Sequence, residues 1–175
     1  MAYTGESMRK IVIAGGCFWG VEEYYRRLKG IEKTRVGYAQ GTTEHPTYQD
    51  VCSGKTKHAE VVELIYEEEV ISLNKILEHL FRFIDPTSLN RQGHDIGTQY
   101  RVGVYYEDEA DEAIIKAYIA SKQASYKHPI VLEVHKTDIF YDAEAYHQKY
   151  LIKNPGGYCH VNMGLIKKEE MKDKI

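Results

Sequence analysis

The chain has 175 residues, 43% of them hydrophobic and 28% charged, with a formal net charge of −3 at neutral pH. That length suits one core, so residues 1–175 are expected to form a single domain with a tail over about residues 154–175. The slight negative charge gives no reason to expect nucleic acid or an anionic membrane as a partner, and no apolar run approaches the roughly 20 residues that span a bilayer. Residues 1–10 lack the apolar stretch of a secretory leader, so a cytoplasmic monomer is expected. Three widely spaced cysteines, Cys17, Cys52 and Cys159, make a poor disulfide framework and include no CxxC pair. The eight histidines show no HExxH spacing, so no metal site is expected.

Residues 10–14 form a short, apolar, β-rich run that predicts a buried strand, broken by Gly15 and Gly16. A helix is predicted from Cys17 through Val21, Tyr24, Tyr25 and Leu28, stopping at Gly30. A strand follows at 31–39, a loop at 40–57 and a second β-rich run at 60–66. Ser72 is placed to cap a helix whose apolar side is Ile76, Leu77, Leu80 and Phe81, ended by Asp85-Pro86. The polar segment 87–99 is long enough to suggest a functional loop. A strand at 101–106 leads into a helix opened by acidic residues 107–112, then a strand at 130–136. A tyrosine-rich helix is predicted over 142–153 before Asn154-Pro155-Gly156-Gly157. The order predicts an α/β (α+β) fold: a two-layer mixed sheet with packed helices, a ferredoxin-like β-α-β-β-α-β core, then a C-terminal helix and coil tail.

Gly15-Gly16-Cys17-Phe18-Trp19-Gly20 sits where a strand turns into a helix. A cysteine in the first helical turn meets unpaired N–H groups and the positive dipole end, which predicts a thiol pKa below the free value of about 8.5. The competing reading is a small apolar core residue after a glycine turn. A phosphate cradle is disfavoured because the GxGxxG and GxxxxGK[ST] spacings are absent. Phe18 and Trp19 beside a thiol suit an apolar group such as a methyl, although most such side chains simply pack in cores.

This segment resembles the signature of the A-type peptide-methionine sulfoxide reductases, which act on the S epimer of the sulfoxide. Further stretches resemble that family in the same order: His45-Pro46-Thr47-Tyr48, Val51-Cys52-Ser53-Gly54, His58-Ala59-Glu60-Val61-Val62, Asp85-Pro86-Thr87, the run from Gln92 to Arg101, Tyr146-His147-Gln148 and Gly157-Tyr158-Cys159. The resemblance implies a mixed α/β fold and a set of roles. Cys17 is similar to the family nucleophile, Phe18 and Trp19 to the walls around the substrate methyl, and Glu60 to the acid that protonates the sulfoxide oxygen. Tyr48 and Tyr100 resemble the phenols that bond that oxygen, Asp95 a supporting polar group, and Cys159 the resolving cysteine. Cys52 resembles a position not assigned to turnover and is read as packing. The chain departs from many relatives in the less glycine-rich sequence His160-Val161-Asn162-Met163-Gly164, in Gly20 where some carry a cysteine, and in Gln49.

The chemistry explains why these residue types are needed. Sulfoxide sulfur is electrophilic, but its oxygen leaves only after gaining protons, so a thiolate and an acid must act together. Glu60 can be that acid near neutral pH only if an apolar setting raises its pKa. The implied cycle leaves Cys17 as sulfenic acid, condenses it with a second thiol, and restores both by exchange with an external dithiol. No bound flavin, nicotinamide or metal is expected; thioredoxin is the implied reductant, with dithiothreitol as a substitute in vitro. Two other classes stay open: a cysteine hydrolase or acyltransferase using His147 or His94, and a redox-sensing module that binds oxidised methionine without turnover.

Overall fold

The computed structural model describes residues 7–175. Strands β1 (Met8–Gly15), β2 (Ile31–Ala39), β3 (Ala59–Glu67) and β6 (Val102–Tyr106) form the centre of a six-stranded sheet. With β8 (Tyr141–Asp142) at one edge, the sheet order is β7-β6-β1-β3-β2-β8, with β7 (Glu133–Lys136) parallel to β6 and every other pair antiparallel. β3 therefore lies between β1 and β2, which is the split β-α-β arrangement expected for this order of elements. The mixed α+β fold is the one that the sequence predicts. A separate hairpin pairs β4 (Arg91–Gln92) with β5 (Asp95–Ile96) inside the long polar loop.

Alternation along β3 sets the two faces of the sheet. Val62, Leu64 and Tyr66 belong to the large core shared with the helices, whereas Ala59 and Val61 join Val12, Ala14, Ala39 and Tyr105 in a smaller core on the other face, with Phe140 against it. Glu60 therefore points to the helical face. Helix α1 (Phe18–Arg26) buries Phe18, Val21, Tyr24 and Tyr25 there. Helix α3 (Leu73–Phe83) is capped by Ser72 Oγ, which accepts from Lys75 N at 3.1 Å, and buries Leu73, Ile76, Leu77 and Leu80. Helix α4 (Ala110–Lys122) carries Asp111 and Glu112 in its first turn and packs against α3.

The chain departs from its sequence pattern in four places. Within the predicted loop 40–57, a capping box between Thr47 and Asp50 starts a short helix α2 (Tyr48–Cys52). The strand predicted over 130–136 begins only at Glu133, because Ile130 N donates to Gln123 Oε1 and Val131 N to Pro86 O. The helix predicted over 142–153 is broken into β8 (Tyr141–Asp142), a single 3₁₀ turn at Ala145–His147 and the four-residue α5 (Tyr150–Lys153). The break has a cause. Gln148 uses its side-chain amide as a strand partner, accepting from Val36 N at 2.9 Å and donating to Val36 O at 2.7 Å. Lys149 then turns left-handed at φ 55°, held through its N and Nζ by the buried Glu22 carboxylate. Finally, the terminal segment packs on the body of the protein. Lys29 N donates to Glu170 O, Lys172 N donates to Arg27 O, and Arg82 grips both Glu170 oxygens at 2.7 and 2.8 Å.

Candidate active site

β1 and β3 pair as far as Ile13 opposite Val62, so the residues that follow on β1 and precede on β3 lie at one end of the sheet. On one side is the turn to Cys17, on the other Glu60. Gly16 takes φ 92°, and a Cβ there would stand 2.9 Å from His160 Nε2 and 3.0 Å from Gln92 Cβ, so only glycine fits. Cys17 then stands at the N-cap position of α1, where its side chain makes no capping bond, and is 7% exposed.

The Cys17 thiol corrects a sequence expectation. Its pKa is raised, first by burial and then by the charge of Glu60. The Trp19 N–H at the start of α1 opposes this, but not enough. The helix-terminus argument is sound for an exposed cysteine; here desolvation of the charged form is larger. At rest Cys17 is held as the thiol.

Glu60 is 1% exposed, and its Oε1 accepts from Phe18 N at 3.2 Å, one residue after the thiol. Its Oε2 is buried without a hydrogen-bond partner among the described residues. Burial pushes its pKa up from 4.5 to about 8, with Phe18 N–H pulling down and the Asp95 charge pushing up. At neutral pH the group therefore holds its proton, as an acid must. Tyr100 closes the 3₁₀ turn Thr98–Tyr100, and its phenol pKa is raised by burial, then by Glu60, Cys17 and Asp95. Tyr48, at the start of α2, is shifted the same way by burial, by Cys52 and by Glu60. Both phenols keep their protons and can donate. Asp95 on β5 accepts from the Tyr158 hydroxyl at 2.8 Å.

An aromatic wall surrounds this polar group. Trp19 stacks on Tyr150, with centroids 3.8 Å apart and planes at 11°. Its indole N–H donates to His147 Nδ1 at 2.9 Å, which fixes the imidazole proton on Nε2. The His147 ring also lies against Phe18 (5.2 Å) and Tyr48 (4.5 Å). Phe18 packs on Tyr38, whose hydroxyl donates to Glu144 Oε1 while Glu144 Oε2 accepts from Tyr48 N.

The structure brings Cys17, Phe18, Trp19, Glu60, Tyr48, Tyr100 and Asp95 to one end of the sheet. Cys159 lies on α1 nearby, half-buried, with its Sγ 3.1 Å from where a Gly20 Cβ would stand. All three thiols are free. Cys52 is exposed rather than packed, and its sulfur accepts from the Tyr48 phenol one turn earlier.

The sequence profile of the peptide methionine sulfoxide reductases matches residues 9–175. The chain belongs to that family. It is 55% identical over 156 residues, 89% of this chain and 99% of the relative, to the peptide methionine sulfoxide reductase MsrA of Clostridium botulinum (strain Loch Maree / Type A3). The crystal structure of reduced Mxr1 from Saccharomyces cerevisiae superposes with a TM-score of 0.86 at 37% identity, covering 92% of this chain and 94% of that one. Mxr1 has also been solved in complex with Trx2; that structure superposes with a TM-score of 0.61 at 26% identity, over 86% and 89% of the two chains.

Several groups that shape the site of this reductase escape a reading of the sequence alone. Glu144, Tyr150 and His160 carry no local signal, and His147 stands out only as one residue of a motif. Their partners lie far away in the chain: Trp19 for His147, Tyr38 and Tyr48 for Glu144, Gly15 for His160. No helix among the described residues is long and apolar enough to cross a membrane.

Proposed function

We propose that this reductase returns the S epimer of methionine sulfoxide, free or within proteins, to methionine in the cytosol, with Cys17 as nucleophile and Glu60 as acid. The observation that carries the reading is the Glu60 carboxyl. It is protonated at neutral pH, anchored by Phe18 N–H beside Cys17, and has one oxygen unpartnered among the described residues.

The substrate methyl lies against Phe18 and Trp19, and the sulfoxide oxygen accepts from Glu60, Tyr48 and Tyr100. Proton donation to that oxygen places positive charge on the substrate next to the thiol. That charge offsets the burial that raises the Cys17 pKa, so thiolate forms as substrate is activated. The sulfur of Cys17 attacks the substrate sulfur, and oxygen passes to Cys17 as sulfenic acid while methionine leaves. Asp95 supports the donor group through Tyr158. Cys159 then condenses with the sulfenic acid, expelling water, and a thioredoxin reduces the Cys17–Cys159 disulfide by exchange. The complex of the relative Mxr1 with Trx2 supports a thioredoxin as the recycling partner. A hydrolase that used His147 as its base is disfavoured, because the Nδ1 lone pair is occupied by the Trp19 indole.

The test is incubation with racemic methionine sulfoxide and dithiothreitol, with each epimer followed separately. Consumption of one epimer, and its loss in Cys17→Ser, is expected. Equal loss of both epimers, or turnover in Cys17→Ser above about a hundredth of wild type, would remove the assignment.

A further inference from the structure

His160 follows the resolving cysteine and is bound to the turn that carries the nucleophile. Its Nε2 lies 2.8 Å from Gly15 O, the last residue of β1. A carbonyl only accepts, so Nε2 holds the proton and Nδ1 keeps a bare lone pair. Nδ1 is buried and has no hydrogen-bond partner among the described residues. Its position is informative. A Cβ on Gly20 would stand 3.2 Å from His160 Nδ1 and 3.1 Å from Cys159 Sγ, so the lone pair and the thiol border the same small space on α1. Val161, buried beside them, completes the seat at 3.1 Å. In the resting state Cys159 Sγ donates to Val161 O at 3.2 Å.

We propose that His160 is the base for the resolving thiol, with the Gly15 carbonyl holding the imidazole in the tautomer that leaves Nδ1 free. A nucleophile, a base and a group that orients the base are then all present, in the order that nucleophilic catalysis requires. The inference rests on the reading of Cys17 as the residue that becomes a sulfenic acid. When Cys159 Sγ attacks the Cys17 sulfur, the S–S bond forms as the S–O bond breaks. The Cys159 proton passes to Nδ1 and from there to the departing hydroxide, which leaves as water. The Cys17 sulfur is reduced and the Cys159 sulfur oxidised, so no other oxidant is involved.

The surroundings make such a base useful. Burial raises the Cys159 pKa, so little thiolate is available at neutral pH without help. Burial lowers that of His160, keeping the lone pair available through the neutral range. The groups facing this pair are Cys17, Glu23 and Arg27 from the α1 segment and Asp95 from β5, with uncharged Gln92 on β4 against Gly16.

The test compares wild type with His160→Gln, whose side-chain amide can still donate to Gly15 O but offers no imidazole. One excess dose of methionine sulfoxide is given without reductant. Methionine release, dimedone-trapped sulfenic acid at Cys17 and the Cys17–Cys159 disulfide are then followed in time from pH 6 to 9. In wild type the disulfide should follow methionine release without a measurable lag at every pH, whatever the rate of that release. In His160→Gln the disulfide should lag by about tenfold or more. Sulfenic acid should accumulate, and the lag should shorten as pH rises and Cys159 ionises unaided. A disulfide that follows methionine release in His160→Gln without a lag at any pH would overturn the proposal. So would a lag unchanged by pH, which would mark a docking role alone. Wild type that releases methionine without ever giving a trappable or disulfide-bonded Cys17 would overturn the Cys17 reading, and this inference with it.

Discussion

Phe18 N and Glu60 Oε1 meet at 3.2 Å, joining the first residue of α1 to the end of the central strand β3. The contact sets the Glu60 carboxyl one peptide unit from the Cys17 thiol. It also leaves the second carboxyl oxygen without a partner among the described residues.

Two pH effects follow from Glu60. Its pKa is raised from 4.5 to about 8, so single-turnover methionine release should fall as pH rises through about 8 and the acid loses its proton. Because the folded value is the higher one, the protonated group favours folding fully below about 4.5. That contribution is lost as pH rises and is gone above about 8. A tenfold change in proton affinity is worth about 1.4 kcal/mol, so a few kcal/mol are at stake. Glu60→Gln should therefore slow methionine release about a hundredfold or more at pH 7, yet unfold at higher denaturant concentration than wild type at pH 9. Urea titrations at pH 6 and pH 9 check the second point; equal stability at pH 9 would place the carboxyl in a wetter setting than the structure gives.

The tail should be acid-sensitive for the opposite reason. Arg82 and Lys75 hold Glu170 and bring its pKa well below the usual carboxylate range. That contribution is present above the unfolded value of about 4.5 and lost as pH falls through the depressed one. Glu170→Gln should weaken the protein by about 1–3 kcal/mol at pH 7 and by less at acid pH. Amide exchange should locate the opening at Lys29 and Lys172, whose N–H groups close this segment onto Glu170 O and Arg27 O. Unchanged protection at both amides would dissociate the side-chain grip from the docking.

What can be read from the sequence is local. The strand-turn-helix at residues 15–20, the Ser72 cap and the split β-α-β order all follow from patterns within a few residues. Glu60 is legible as a carboxylate among apolar neighbours, Ala59, Val61 and Val62, but its role comes from the family resemblance, and its burial only from the packed structure. The errors arise where distant partners decide. Gln148 leaves the helical pattern because its side-chain amide pairs with the N–H and C=O of Val36, over a hundred residues earlier. The lowered thiol pKa predicted for Cys17 rests on the dipole and omits burial, which only the packed structure supplies.

Trp19 is held by two contacts that can be separated. The stack on Tyr150 needs only an aromatic face, whereas the bond to His147 Nδ1 needs the indole N–H. Trp19→Phe keeps the first and leaves a buried imidazole acceptor unpaired, a loss of about 1–3 kcal/mol in order around Phe18 and Tyr48. Catalytic efficiency should drop roughly tenfold, mainly through KM, while Cys17 alkylation stays close to wild type. Trp19→Ala should lose more. A Trp19→Phe enzyme with unchanged KM would show that His147 does not need the indole to keep the wall in place.

The last expectation concerns Cys159. Its Sγ rests over Gly20, three residues along α1 from Cys17, and the residues on either side of it are fixed by Tyr158–Asp95 and His160–Gly15 hydrogen bonds. The segment is thus held against the helix that begins after Cys17, and a disulfide between the two would require Cα atoms within roughly 7 Å. Cys52 has a different setting: exposed, on α2, with its sulfur beside the Tyr48 phenol. Cys159→Ser given one excess dose of sulfoxide should release about one methionine per chain, because sulfenic acid formation needs Cys17 alone. With thioredoxin as reductant it should then lose turnover, and peptide mapping of sulfoxide-treated wild type should find Cys17 joined to Cys159. Full thioredoxin-dependent turnover in the variant, or a dominant Cys17–Cys52 link in wild type, would identify Cys52 as the resolving thiol instead.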